Sequence, residues 1–100
     1  MTKLYIDHIS AALQVKPWQV ENCIELISDG ATIPFISRYR KERTGGLDET
    51  QVAEIKHYHL YFLELDKRKA AIIKSVSEQE KMTDDLQSRI DNEVDLQRLE

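Results

Sequence analysis

The sequence predicts an all-α protein: short helix-turn-helix-like helices followed by a long helix and an antiparallel partner helix. Three observations predict it. Apolar residues recur at three- and four-residue spacing through most of the chain, as one face of a helix requires. Both prolines, Pro17 and Pro34, fall where a helix can begin. From Asp48 to the last residue there is neither glycine nor proline.

Ile6, Ile9 and Leu13, with Tyr5 and Ala12 beside them, mark a first helix over 3–14. Val15-Lys16 breaks the pattern. Pro17 opens a second helix over 17–28, its stripe formed by Val20, Cys23, Ile24 and Ile27, with Leu26 beside it. Glu21, Glu25 and Asp29 face outward, and Gly30 ends the helix. Thr32 caps a third helix, again with proline in the first turn. Ile33, Ile36 and Tyr39 or Arg40 share one side of it, Phe35 adds an aromatic contact, and Gly45-Gly46 stops it. Two short helices around a tight glycine-containing turn resemble a helix-turn-helix in outline.

Asp48 and Gln51 form a capping-box pattern that starts the fourth helix. It runs to about Gln79, a rod of ~45 Å at the helical rise. Val52, Ile55, His59 and Phe62 form one stripe, and Ala53, Leu60 and Leu63 a neighbouring one. Glu64 to Lys69 is nearly all charged, and apolar spacing resumes at Ala70, Ile72, Ile73 and Val76. The short helices cannot cover such a rod along its whole length. Part of it is expected to face solvent or something outside these residues. Lys81-Met82 reads as a turn, and Thr83 caps a fifth helix whose Asp84 and Asp85 complement the helix dipole. Leu86, Ile90 and Val94 carry its stripe, followed by Leu96 and Leu99. The pattern is still running at Glu100, which predicts that the chain continues in a longer protein. Within it the expected subdivision falls at the glycine pair, into 1–45 and 46–100.

Composition bounds the function. Apolar residues at 41% and charged residues at 32% suit a water-soluble globular chain. No apolar run approaches the ~20 residues of a membrane span, and no signal-peptide pattern is present. The single cysteine, Cys23, fits a reducing, cytoplasmic setting. The net charge of −4 argues against a domain dominated by nucleic-acid binding, so only local clusters can hold phosphate. The densest is Arg38, Arg40, Lys41 and Arg43, with Tyr39 available to stack. The competing reading is that these arginines pair with Glu42, Asp48 and Glu49 or dock a later domain. Lys67, Arg68, Lys69 and Lys74 form a secondary basic patch. There Glu64 reaches Arg68 at i, i+4, and a solvated helix face is the favoured reading.

Neither catalysis nor a cofactor is expected. The pairs Asp48-Glu49 and Asp84-Asp85 lie where helix starts favour acids, and no nucleophile comes with a recognisable base. His57 and His59 are two residues apart and point to different faces of a helix, so no metal site is expected. Trp18 is predicted to anchor the core.

Three segments carry a resemblance. They are Val15-Lys16-Pro17-Trp18-Gln19-Val20-Glu21, the run from Asp29 through Ile33-Pro34-Phe35-Ile36-Ser37-Arg38-Tyr39-Arg40-Lys41-Glu42, and Thr44-Gly45-Gly46-Leu47-Asp48-Glu49. In this order and spacing they resemble the N-terminal region of the bacterial Tex family of transcription accessory proteins. The similarity continues through Ile72-Ile73-Lys74-Ser75, Gln79-Glu80-Lys81-Met82-Thr83 and Asp95-Leu96-Gln97-Arg98-Leu99-Glu100. Glu80 departs from the glycine common there, which removes an easy left-handed helix end. The resemblance implies a longer parent with RNase H-like, helix-hairpin-helix and S1 domains. It implies binding of RNA or DNA during transcription, with RNA contact largely through the S1 domain. At domain level it also implies likeness to a eukaryotic elongation factor that works with transcribing polymerase. The implied partners are nucleic acid, RNA polymerase and the remaining domains of the same chain, with no membrane. The rival expectation is a structural scaffold or protein-interaction module.

Overall fold

The computed structural model describes residues 2–78 and 82–95. Among these residues there are six helices and no strand. They are α1 (Lys3–Leu13), α2 (Pro17–Ser28), α3 (Ile33–Tyr39), α4 (Lys41–Thr44), α5 (Glu49–Glu78) and α6 (Asp84–Asn92). The all-α expectation holds, and the helix starts agree closely with the capping residues. Thr32 Oγ1 accepts from Phe35 N at 3.3 Å, and Thr83 Oγ1 accepts from Leu86 N at 3.1 Å. At the head of α5 the capping box closes in both directions. Asp48 Oδ1 accepts from Gln51 N at 2.8 Å, and Gln51 Oε1 accepts from Asp48 N at 3.0 Å.

Two helix ends differ from the sequence reading. The third helix does not run through to the glycine pair. Arg40, at φ −129° and ψ 33°, leaves helical geometry, and Lys41–Thr44 forms a separate short helix. The last helix stops at Asn92, because Glu93 turns extended and its Oε1 accepts from the amides of Val94 and Asp95 at 3.1 and 3.0 Å. Those amides are satisfied without a further turn, so Val94 lies beyond the helix. The expected turn at Lys81 and the apolar residues Leu96 and Leu99 lie outside the described residues, as does the Glu80 departure.

The chain divides into two compact units, Met1–Leu60 and Tyr61–Glu100. The division falls inside α5, and the glycine pair belongs to the first unit. The core of that unit is built from Tyr5, Ile6 and Ile9 of α1, Val20, Cys23, Ile24 and Leu26 of α2, Ile36 of α3, Leu47, and Val52 and Ile55 of α5. Each fully buried aliphatic side chain of this kind contributes roughly 1.5–3 kcal/mol of transfer free energy. The stripes read on α1 and α2 largely pack, as do Val52, Ile55 and Phe62 of α5, whereas the neighbouring α5 stripe of Ala53, Leu60 and Leu63 is exposed. In the second unit Phe62 and Leu65 of α5 and Ile90 of α6 are buried. Lys69 of α5 donates to Asp91 O near the end of α6 at 3.0 Å, which ties the two helices of that unit together.

Candidate nucleic-acid interface

The geometry of the basic cluster is set by how α2 holds α4. A helix of four residues cannot satisfy its own last carbonyls. Two amide side chains one turn apart on α2 do so instead. Gln19 Nε2 donates to Thr44 O at 2.9 Å and more weakly to Gly45 O at 3.4 Å, and Asn22 Nδ2 donates to Arg43 O at 2.7 Å. Gln19 also closes the start of its own helix, its Oε1 accepting from Lys16 N at 2.9 Å. One side chain therefore links the head of α2 to the tail of α4. Gly45 then turns the chain at φ 69°, so close to α2 that a Cβ there would lie 2.6 Å from Gln19 Nε2 and 2.7 Å from Trp18 Cη2. Trp18 is not the core anchor expected of it. It is 46% exposed and lies against Gly45, because its position in the first turn of α2 faces the glycine turn rather than the packed stripe.

The four candidate cations have different surroundings. Arg43 pairs with Glu25 of α2 at 3.4 Å, not with Glu42, Asp48 or Glu49. Both side chains are well exposed, so the pair contributes little to stability, on the order of 0–1 kcal/mol. Arg40 folds back on its own helix. Its Nη1 donates to Tyr39 O at 2.9 Å, and its guanidinium carbon lies 4.7 Å from the centroid of the Phe35 ring. That distance is within cation–π range. Arg38 and Lys41 are exposed and carry no ion pair among the described residues. Between Ile33 and Thr44 there are four basic residues and one acid, Glu42, with Glu25 of α2 facing Arg43, so positive charge is locally in excess on a chain that is negative overall.

Aromatic rings accompany these charges. Phe35 and Tyr39, one turn apart on α3, have centroids 5.5 Å apart at an interplanar angle of 47°. They are 38% and 62% exposed. Sequence spacing identified Tyr39 as available to stack. It missed the Phe35–Arg40 contact, whose signal was the aromatic five residues before an arginine at a helix end.

The second patch is not one surface. Lys67, Arg68 and Lys74 are exposed, but Lys69 is buried and spends its ammonium on Asp91 O. Burial holds its pKa below the usual lysine value, against the opposing pull of Asp66, Asp91 and Glu93. Elsewhere in the first unit, burial pushes the Cys23 thiol up to about 11. Burial also lowers the His59 imidazole, whose Nδ1 has no hydrogen-bond partner among the described residues. No group of three potential metal ligands occurs among the described residues, and no helix there is long and apolar enough to cross a membrane.

Comparison with known proteins places this geometry in a lineage. Residues 3–77 match the family described as Tex-like protein N-terminal domain. The chain is 47% identical over 94 residues to the transcriptional accessory protein Tex of Neisseria gonorrhoeae, covering 91% of this chain and 12% of that protein. It is 46% identical over 92 residues to protein YhgF of Escherichia coli K12, covering 92% of this chain and 12% of that protein. The human S1 RNA-binding domain-containing protein 1 is similar at 30% identity over 79 residues, which is 79% of this chain and 8% of that protein. The chain thus spans a small fraction of the length of the relatives it matches.

Proposed function

The chain belongs to the family of Tex-like protein N-terminal domains, and from that premise we propose that it is the nucleic-acid-contacting helical module of a transcription accessory protein. It acts in the cytoplasm and performs no catalysis. The contact surface is the α3–α4 edge, with α2 to α4 arranged in the manner of a helix-turn-helix. The observation that supports this reading is the pair of exposed cations, Arg38 and Lys41, without an ion-pair partner among the described residues, beside the exposed Phe35–Tyr39 rings. Unpaired cations reach phosphate without first breaking a protein contact, and each neutralised phosphate releases counterions. Arg40 and Arg43 contribute positive potential while holding the surface in shape. The names of the relatives, one a transcriptional accessory protein and one an S1 RNA-binding domain-containing protein, agree with a role beside RNA.

The test is binding of the chain to labelled RNA and duplex DNA across a salt series. A slope of log K against log salt of a few units marks several phosphate contacts. An absence of binding near ~50 mM salt, where such contacts are strongest, overturns the reading. A scaffold role is the second reading, favoured by one observation. Leu60 and Leu63 of α5 are 55% and 44% exposed, as apolar residues are where a polymerase or a later domain of a longer chain packs.

A further inference from the structure

We infer that Tyr39, held beside Phe35 and Arg40, is a stacking platform for an unpaired base, so that the nucleic acid this edge takes is single-stranded. The inference rests on the nucleic-acid reading above and narrows it.

Tyr5 and Phe62 are put to use in the interior, each 1% exposed, whereas Trp18 lies at the glycine turn, 46% exposed and against Gly45. Phe35 and Tyr39 are left at the surface although burying them would stabilise the fold. Their arrangement is also ordered. Arg40 lies over the Phe35 ring, fixed there by its hydrogen bond to Tyr39 O, so Phe35 already has a planar partner. Tyr39 has Phe35 tilted against it and is 62% exposed. A base stacking on Tyr39 would extend an existing row of guanidinium, phenyl and phenol. Arg38 immediately before it and Lys41 two residues after it are free of ion pairs among the described residues and can meet the phosphates on either side.

The class of nucleic acid follows from the chemistry of stacking. In a duplex both faces of every base are occupied by neighbouring pairs, and a side chain reaches one only by unstacking it. A single strand offers a π-face at each base, and aromatic platforms combined with scattered cations are the common means of binding it. The weak electrostatics agree with this. With a net charge of −4 and four cations on this edge, one of them paired with Glu25, phosphate contacts alone supply little affinity, and the rings must supply the rest.

The experiment measures fluorescence anisotropy of a labelled oligouridine and of a labelled DNA duplex at low salt. The proteins are the native chain, Tyr39→Ala, Tyr39→Phe, and the double variant Arg38→Ala with Lys41→Ala, each checked for native helicity by circular dichroism. The oligouridine is expected to bind more tightly than the duplex. Tyr39→Ala is expected to weaken it roughly 5- to 150-fold with an unchanged salt slope, while Tyr39→Phe stays within about twofold of the native chain. The double variant is expected to lower the salt slope by about one to two. If Tyr39→Ala binds like the native chain while the double variant loses binding, the contact is purely electrostatic. The stacking inference then fails, although the nucleic-acid reading stands. Preference for the duplex also overturns it. If neither probe binds the native chain, both fail together.

Discussion

At the residue scale the glycine turn shows how one position can be fixed for two reasons. Gly45 and Gly46 both have positive φ, 69° and 86°, where a side chain strains the backbone. Only Gly45 also lacks room, with Gln19 and Trp18 inside 3 Å of any Cβ, whereas Gly46 has nothing within 4 Å. Gly46→Ala is therefore expected to destabilise by about 1 kcal/mol, the cost of the conformation alone. Gly45→Ala should cost roughly twice that, because Gln19 must also leave the α4 carbonyls. Parallel urea denaturation of the two variants checks the difference, and equal midpoints would show that Gln19 gives way freely. The turn itself was legible from the Gly-Gly pair. Its neighbours were not, since Gln19 and Asn22 reach across more than twenty residues and no local pattern encodes that. Trp18 was misread for a related reason: a large ring is usually buried, but its register on α2 faces the turn. Cys23 was read correctly as a core position, and its chemistry follows. The folded thiol is raised from 9.0 to about 11 by burial, so its contribution to stability is complete below pH 9 and is lost as pH climbs toward 11. Alkylation of Cys23 at pH 8 should be slow in the native chain and fast in urea. Rapid native labelling would mean the α2 stripe opens readily.

At the element scale, helix existence and helix starts were legible because capping is local chemistry: Thr32, Asp48 and Thr83 each bond an amide three residues ahead. Helix ends were less so. Arg40 interrupts a run that has no glycine or proline from Phe35 to Thr44, and it does so where its side chain turns back to Phe35 and to the carbonyl of Tyr39. Nothing in helical propensity marks that position, since arginine is a good helix former. Lys69 is the other case in which tertiary context decides. Read by composition it belongs to a basic patch; in the fold it is a buried donor to the C-terminal end of α6, where a cation is favoured by the helix dipole. Lys69→Ala leaves the Asp91 carbonyl without its donor and removes the packed stem of the side chain. A loss of about 1–2 kcal/mol is expected, confined to the second unit. Hydrogen exchange should show faster exchange of α6 amides with unchanged protection in α2. Unchanged α6 protection would mean that Ile90 alone holds the helix. The pH dependence has a definite sign: burial lowers this lysine, so its unfavourable charged form is relieved, and stability rises, as pH increases from the lowered pKa toward 10.5.

For the whole molecule, the open question is whether binding is governed by the total charge or by a local field. The acidic balance of −4 discouraged a nucleic-acid reading from composition, while the α3–α4 edge gathers its positive charge within twelve residues. Exposed charges further apart than a Debye length, about 8 Å at physiological salt, are largely screened from one another. The local field should therefore dominate. Two double charge reversals separate the cases, because each takes the net charge from −4 to −8, two units per substitution. One is Arg38→Glu with Lys41→Glu on the α3–α4 edge. The other is Lys67→Glu with Lys74→Glu, two turns apart on α5 and both exposed. With a local contact, the first pair loses binding to single-stranded RNA by about tenfold or more near 0.15 M salt, and the second changes it less than about twofold. Equal losses would mean that the molecule is recognised by its overall charge. A loss confined to the α5 pair would move the contact to the second patch and leave the aromatic edge without a role in binding. Separation of the two pairs at physiological salt is the signature expected of a chain that holds nucleic acid at one positively charged edge.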